Sequence, residues 1–245
     1  MVSGHSNVEH SNVEYFNIEN SNIIFYYYPL CPISNKLLIV FKMIDISKFL
    51  NIEEVKIVSR QSVQKLPNIY FQYLPILYIP DRNVYLRDSN SILNFLSSVI
   101  NHDILKNWKE DREIQFFEQF FDQYMFFDIY KYAIFEKTQK LILYNNYFPN
   151  NENVKIGVNN IKYYLDFFEE RFKFKDWVQN KFSISDISCF SFIAVLDYCF
   201  FLSWYKYPNI KNWYRRMKSN REMNFILQQR IPNFLPPAHY ETIDF

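Results

Sequence analysis

The chain has 245 residues, 49% of them hydrophobic and 22% charged, with 27 lysines and arginines against 26 aspartates and glutamates. A net charge of +1 leaves no electrostatic footprint for nucleic acid or an anionic membrane, and the length admits one large domain or two small ones with a sizeable core. Only two glycines occur, Gly4 and Gly157, so the glycine-rich loops of kinases, P-loop proteins and dinucleotide-binding domains are excluded.

Cys31, Cys189 and Cys199 are too few and too far apart to describe a disulfide framework, and they fit a reducing compartment. His5 and His10 lie in the amino-terminal stretch, which leaves only His102 and His239 in the body, and no metal centre is expected. Asp45 and Lys48 interrupt the first apolar helix and Asp197 the most apolar one, so no membrane insertion is expected. Residues 1–22 lack the basic start and apolar core of a secretory signal, which points to the cytoplasm.

Residues 5–9 and 10–14 repeat the letters HSNVE within a polar run, read as a disordered extension over 1–21. Residues 23–44 then carry a β-branched and aromatic strand that stops at Pro29. A helix follows, with Pro32 at its first position and Leu37, Val40, Phe41 and Ile44 along one face. Cys31 is thereby the N-cap. Unpaired backbone N–H groups and the positive end of the helix dipole favour its thiolate, and Ser34 either donates to a bound thiolate or bonds locally to backbone.

A second strand is expected over Val55–Val58, parallel to the first through the helical crossover. Leu74–Ile79 and Val84–Leu86 flank the polar turn Asp81, Arg82, Asn83 and predict a hairpin. Asp88 and Ser89 open the next helix, which ends near Ile100. Strand, helix, strand, hairpin, helix is the thioredoxin-like order, assigned to residues 22–101. From 105 to 229 the pattern is helical. Ile114, Phe117, Phe121 and Tyr124 form one buried face, and Ile161, Tyr164, Leu165, Phe168 and Phe172 another, with a break over Asn145–Asn153. The charges of Glu110–Lys140, among them Glu118, Asp122 and Glu136, read as a solvated helix face. Ser183 and Asp186 predict a capping box, with Phe182 and Ile187 as its hydrophobic staple, opening a buried helix that carries Cys189 and Cys199 as packing residues. A last helix runs from Ile210 through Met217. Pro232, Pro236 and Pro237 leave residues 230–245 as an extended tail whose apolar side chains pack on their own domain or bind a partner.

A thioredoxin-like half joined to an all-helical half resembles the glutathione S-transferase superfamily over roughly residues 22–229. The resemblance rests on the CPIS turn at Cys31, the Leu74–Pro75 strand start, the Asp88–Ser89 pair and the Ser183/Asp186 capping box. It implies a cis-proline at Pro75 and a glutathione site in which Cys31 and Ser34 act on the sulfur, Pro75 holds the backbone, and Asp88 with Ser89 holds the γ-glutamyl end. Asn160, Tyr163, Leu165 and Asp166, then Leu196, Asp197 and Tyr198, then Trp213, Tyr214, Arg216 and Lys218, and above all the terminal PPAHYETIDF, resemble the bacterial FtsZ-localized protein A group. That second resemblance implies a homodimeric, non-enzymatic adaptor without cofactor that binds FtsZ filaments at the division site and alters their curvature or bundling. The Glu110–Lys140 region is then a candidate contact, and Pro236, Pro237, His239, Tyr240, Asp244 and Phe245 form a partner-binding tail that can be removed without loss of the fold. The alternative is a glutathione-dependent transferase or monothiol reductase using Cys31. A third expectation places the tail, or a partner peptide, in the pocket itself.

Overall fold

The structure, a computed structural model, describes residues 21–67, 74–143 and 148–245. The HSNVE repeat and part of the Asn145–Asn153 break lie outside the described residues. Four strands form one mixed sheet in the order β2-β1-β3-β4, from β1 (Asn22–Tyr27), β2 (Asn51–Lys56), β3 (Ile76–Ile79) and β4 (Val84–Leu86). β2 is parallel to β1, while β3 is antiparallel to both β1 and β4. β2 begins four residues before the expected Val55. Asn22–Tyr27 pairs along the whole of Asn51–Lys56, and at a sheet edge Glu53 and Glu54 remain in solvent, so polar letters do not end the strand.

Between β1 and β2 runs α1 (Pro32–Met43), whose residues Pro32 to Phe41 are all buried because it lies between the sheet and a helix of the second half. The short α2 (Arg60–Val63) follows β2, capped by Ser59, and α3 (Ser89–Val99) follows β4. Asn83 closes the hairpin turn with φ 51°, a left-handed conformation that asparagine tolerates.

The helical half begins with α4 (Asp103–Glu110) and α5 (Arg112–Gln119). From Phe120 to Gln139 the helix continues in a wider π winding, and it returns to α-helix as α6 (Lys140–Leu143). The wider turn changes which residues share a face: Phe121, Met125, Ile129 and Ala133 are buried, whereas Tyr124, expected inside, is 62% exposed. Glu118 and Glu136 are buried rather than solvated, each against a lysine. α7 (Asn151–Phe174) packs along this helix with the expected apolar face inward. Close approach depends on Gly157, where an added Cβ would lie 2.7 Å from the Ala133 Cβ. Asn160 and Tyr164 of α7 reach across to Asp128, donating to its carbonyl (2.9 Å) and carboxylate (2.6 Å).

α8 (Ile184–Tyr198) is buried along its entire length. The capping box is present: Asp186 accepts from the Ser183 N–H (3.1 Å) and also from the Val178 N–H (2.8 Å), while Ser183 Oγ accepts from the Ser185 N–H (3.2 Å). Burial nevertheless pushes the Asp186 carboxyl up to about 7. Phe182 packs edge-on against Trp177, with ring centroids 5.4 Å apart. α9 (Pro208–Lys218) and the single-turn α10 (Arg221–Asn224) complete the helices.

Candidate functional site

A cleft of about 520 Å³ opens between the two halves, walled by Pro75, the start of α3 at Asp88 and Ser89, Trp108 of α4, and Glu118 and Asp122 on the inner side of the α5–π helix. The sequence-predicted pocket residues Pro75, Asp88 and Ser89 therefore meet, and the Leu74–Pro75 peptide is cis. Asp88 is committed to its own helix: Oδ1 accepts from the Ser91 N–H (2.8 Å) and Oδ2 from the Ser91 hydroxyl (2.7 Å). Ser89 is buried, and its Oγ has no partner within the described protein.

Cys31 does not reach this cleft. It is the N-cap of α1 as expected, yet its side chain is 0% exposed and lies 3.9 Å from Leu74 O, while Ile33 takes the place on the wall. Enclosure works against the expected thiolate. Burial pushes the thiol up to about 11, outweighing hydrogen bonds from Ser34 and Ile33 that pull the other way. Ser34 is equally enclosed, with Oγ 3.4 Å from the Tyr28 N–H, which is the local backbone role. Cys189 and Cys199 are also free and buried, and burial raises both thiols. A thiol reagent such as Ellman's reagent should therefore label none of the three cysteines in the native protein at neutral pH and all three after denaturation. Rapid native labelling of Cys31 would contradict this burial.

Behind the cleft wall lies a charge cluster absent from the sequence-predicted site. Lys36 of α1 is fully buried and donates to Glu118 (2.7 Å) and Asp122 (2.6 Å), and Ser188 of α8 donates to the other oxygen of Glu118 (2.6 Å). Burial pushes Lys36 down, but Asp122 and Glu118 outweigh it and hold the ammonium above its ordinary value. Burial pushes Glu118 up to about 7 despite the pull of Lys36, as one cation serves two carboxylates. Among the described residues, Asp122 Oδ1 and Trp108 Nε1 join Ser89 Oγ as buried polar atoms of the cleft wall without a partner. All three atoms are enclosed, so a ligand in the cleft reaches them only if the wall shifts.

The tail lies elsewhere. No residue of 230–245 lines the cleft, so the expected insertion of the tail into the pocket is not what the structure has. It packs instead on α8 and α9. Tyr240 is 3% exposed, edge-on to Tyr198 (5.2 Å between centroids), and Tyr198 OH donates to Phe234 O (2.7 Å). Asp197 of α8 accepts from Trp204 Nε1 (2.9 Å), with His239 Nε2 2.9 Å from the same oxygen. Lys218 of α9, also buried, donates to Thr242 O (3.0 Å) and lies 4.3 Å over the Phe245 ring, and burial pushes its ammonium down to about 8. Asp244 pairs with Arg215 and Glu241 with Arg230 at the surface. Pro236 and Pro237 are half-buried. The expected removable tail is thus a built-in part of the helical half, because Tyr240, Asp197 and Lys218 depend on it for burial or partners.

Residues 132–220 match the glutathione S-transferase C-terminal domain family. In backbone course, a glutathione S-transferase from Sinorhizobium meliloti 1021 superposes over 92% of this chain and 100% of its own with a TM-score of 0.74 at 20% identity. This chain has the glutathione S-transferase fold. The FzlA structure from C. crescentus superposes over 91% of the chain and 100% of its own, with a TM-score of 0.72 at 20% identity. In sequence, FtsZ-localized protein A of Caulobacter vibrioides (strain NA1000 / CB15N) is 24% identical over 171 residues, covering 67% of this chain and 73% of that protein. Within this transferase fold, no helix of the described residues is long and apolar enough to cross a membrane.

Proposed function

We propose that this chain is a non-enzymatic adaptor of the glutathione S-transferase fold that binds FtsZ filaments and changes their curvature or bundling. The observation that carries the reading is the sequence similarity over 171 residues to FtsZ-localized protein A. Enclosure of Cys31 supports it, since a thiol with 0% exposure and a value near 11 is a poor nucleophile or proton source for substrate at neutral pH. As a homodimer the adaptor offers each contact twice, and the second contact on one polymer is intramolecular, which raises avidity by roughly 10²–10⁴. Co-sedimentation with GTP-assembled FtsZ from the same cell tests the proposal. The chain is expected in the pellet with polymer and in the supernatant without it, and a chain that stays soluble beside well-formed filaments removes the adaptor reading.

A second reading is favoured by one observation, that Pro75 with its cis peptide, Asp88 and Ser89 line one cleft. Glutathione held there through its γ-glutamyl end would make the pocket a ligand site, with or without transfer chemistry. Isothermal titration should then show heat with millimolar glutathione that Ser89→Ala weakens roughly tenfold or more, the cost of about one charge-assisted hydrogen bond. No heat at that concentration excludes it.

A further inference from the structure

The carboxyl end of α8 carries a surface that neither the cleft nor the tail anchors use. Phe200, just past α8, has φ 60°, in the left-handed region that favours glycine. Its N–H donates to Asp197 O (3.0 Å) and the Phe201 N–H to Leu196 O (2.9 Å), so this backbone ends the helix as a glycine stop ordinarily does. The residue is nonetheless a phenylalanine, and its ring is largely in solvent, with 58% exposure. Asn233, at φ 61°, turns the tail so that the Phe234 ring comes within 6.5 Å of Phe200, and Leu235, the next residue, is 72% exposed. A bulky aromatic kept at a backbone site where glycine is easier, beside an exposed leucine, is local strain that folding does not require.

Two lysines border this shelf. Lys137 donates to Cys199 O (3.2 Å) and sits 4.3 Å over the Phe201 ring, so it covers the negative end of the α8 dipole. Lys56 of β2 donates to Arg230 O (2.9 Å), beside Ile231, whose N–H meets Tyr198 OH (3.3 Å). Arg230 is paired with Glu241, whereas neither lysine has a carboxylate partner among the described residues. Burial first, and the nearby Arg230 charge second, hold Lys56 below the ordinary lysine range.

We propose that this shelf docks an acidic segment of a partner protein, with Phe200 and Leu235 taking its apolar side chains and Lys56 and Lys137 facing its carboxylates. The surface joins β2, the end of α8 and the tail, and it does not depend on the identity of the partner. Charge complementarity selects an acidic over a basic chain, and the exposed aromatic supplies the anchor that interfaces concentrate their energy on.

The probe is a short synthetic peptide alternating Asp with Phe and Leu, with a control carrying Lys for Asp, measured by fluorescence anisotropy. The acidic peptide should bind the wild-type chain about tenfold or more tightly than the basic one. Phe200→Gly should weaken it by about tenfold or more while leaving the melting temperature within ~2 °C, because glycine suits that backbone. Leu235→Ser, an exposed change, should weaken binding as well, and Lys137→Gln with Lys56→Gln should flatten its dependence on salt. Equal binding of both peptides, or undiminished binding by Phe200→Gly and Leu235→Ser, overturns the proposal. If the acidic peptide binds a chain that does not pellet with FtsZ, the filament reading falls and the shelf stands.

Discussion

Deleting residues 236–245 is expected to lower the melting temperature by roughly 10 °C, or to leave the chain insoluble, before any partner is added. The deletion removes Tyr240 from a fully packed site against Tyr198, a loss of about 3 kcal/mol by comparison with other large-to-small changes. It also takes His239 from Asp197, and the Thr242 carbonyl and the Phe245 ring from Lys218. Asp197 and Lys218 lie on neighbouring helices and are buried with the tail in place; a buried polar group stripped of its partner costs about 1–3 kcal/mol, more when charged. Water reaching the opened site relieves part of that cost, so the sum is about 4 kcal/mol or more rather than the full total. At about 2–4 °C per kcal/mol for a chain of this size, the shift is large enough to read in a thermal scan. A truncated chain that melts with the wild type would mean that the tail is not docked in solution. The consequence for function is practical: loss of filament binding on truncation would confuse a missing contact with a loosened helical half. A substitution at an exposed position of the deleted segment, such as Asp244, keeps the two apart.

Patterns that rest on local chemistry were legible in the sequence, and those that depend on a distant partner were not. Pro32 after Cys31, Asp88 before Ser91 and Ser183 before Asp186 each solve the problem of unpaired N–H groups at a helix start, and all three helix starts fall where expected. What opposes a thiolate at Cys31 is non-local. The dipole and N–H groups are present, but how deeply the turn sits beneath Leu74 and Ile33 is set by packing between elements. Tyr124 failed because a 3.6-residue period was applied to a helix that winds more widely from Phe120 onward, and nothing in the letters FFDQYMFF marks that change. Lys36 could have been found. It lies three after Ile33 and four before Val40, on the face of α1 that carries the core, so a lysine there requires an acidic partner from elsewhere. Glu118 and Asp122, four apart on one helix face, were that partner, hidden among charges that resemble a solvated surface.

Lys36→Met should accordingly cost about 3–5 kcal/mol, the most of any single change in the cleft wall, because it leaves Glu118 and Asp122 inside without a cation. The paired change Lys36→Met with Glu118→Leu should recover part of that loss, since it removes a buried charge together with its counterion. Urea unfolding of the two variants makes the comparison, and a single variant as stable as wild type would show that the cluster is hydrated rather than buried. The same cluster sets a pH dependence. Glu118 has a folded value near 7 against an ordinary 4.5, so between those values the folded chain holds a proton that the unfolded chain has released. Its contribution is complete below the unfolded value and is lost as pH rises through 7, and Asp186, raised to about 7 from 3.8, acts in the same direction. Wild-type stability should therefore fall between pH 6 and pH 8 by ~1 kcal/mol for each group. Glu118→Gln should remove about half of that slope and leave the share of Asp186. In Lys36→Met the slope should steepen, because losing the cation drives Glu118 further up and widens the gap between its folded and unfolded values. A slope that rises with pH, or one that Glu118→Gln leaves unchanged, would show that Lys36 holds Glu118 ionised across this range. The wall of the cleft would then carry a permanent negative charge instead of one that a bound ligand or a change of pH can remove.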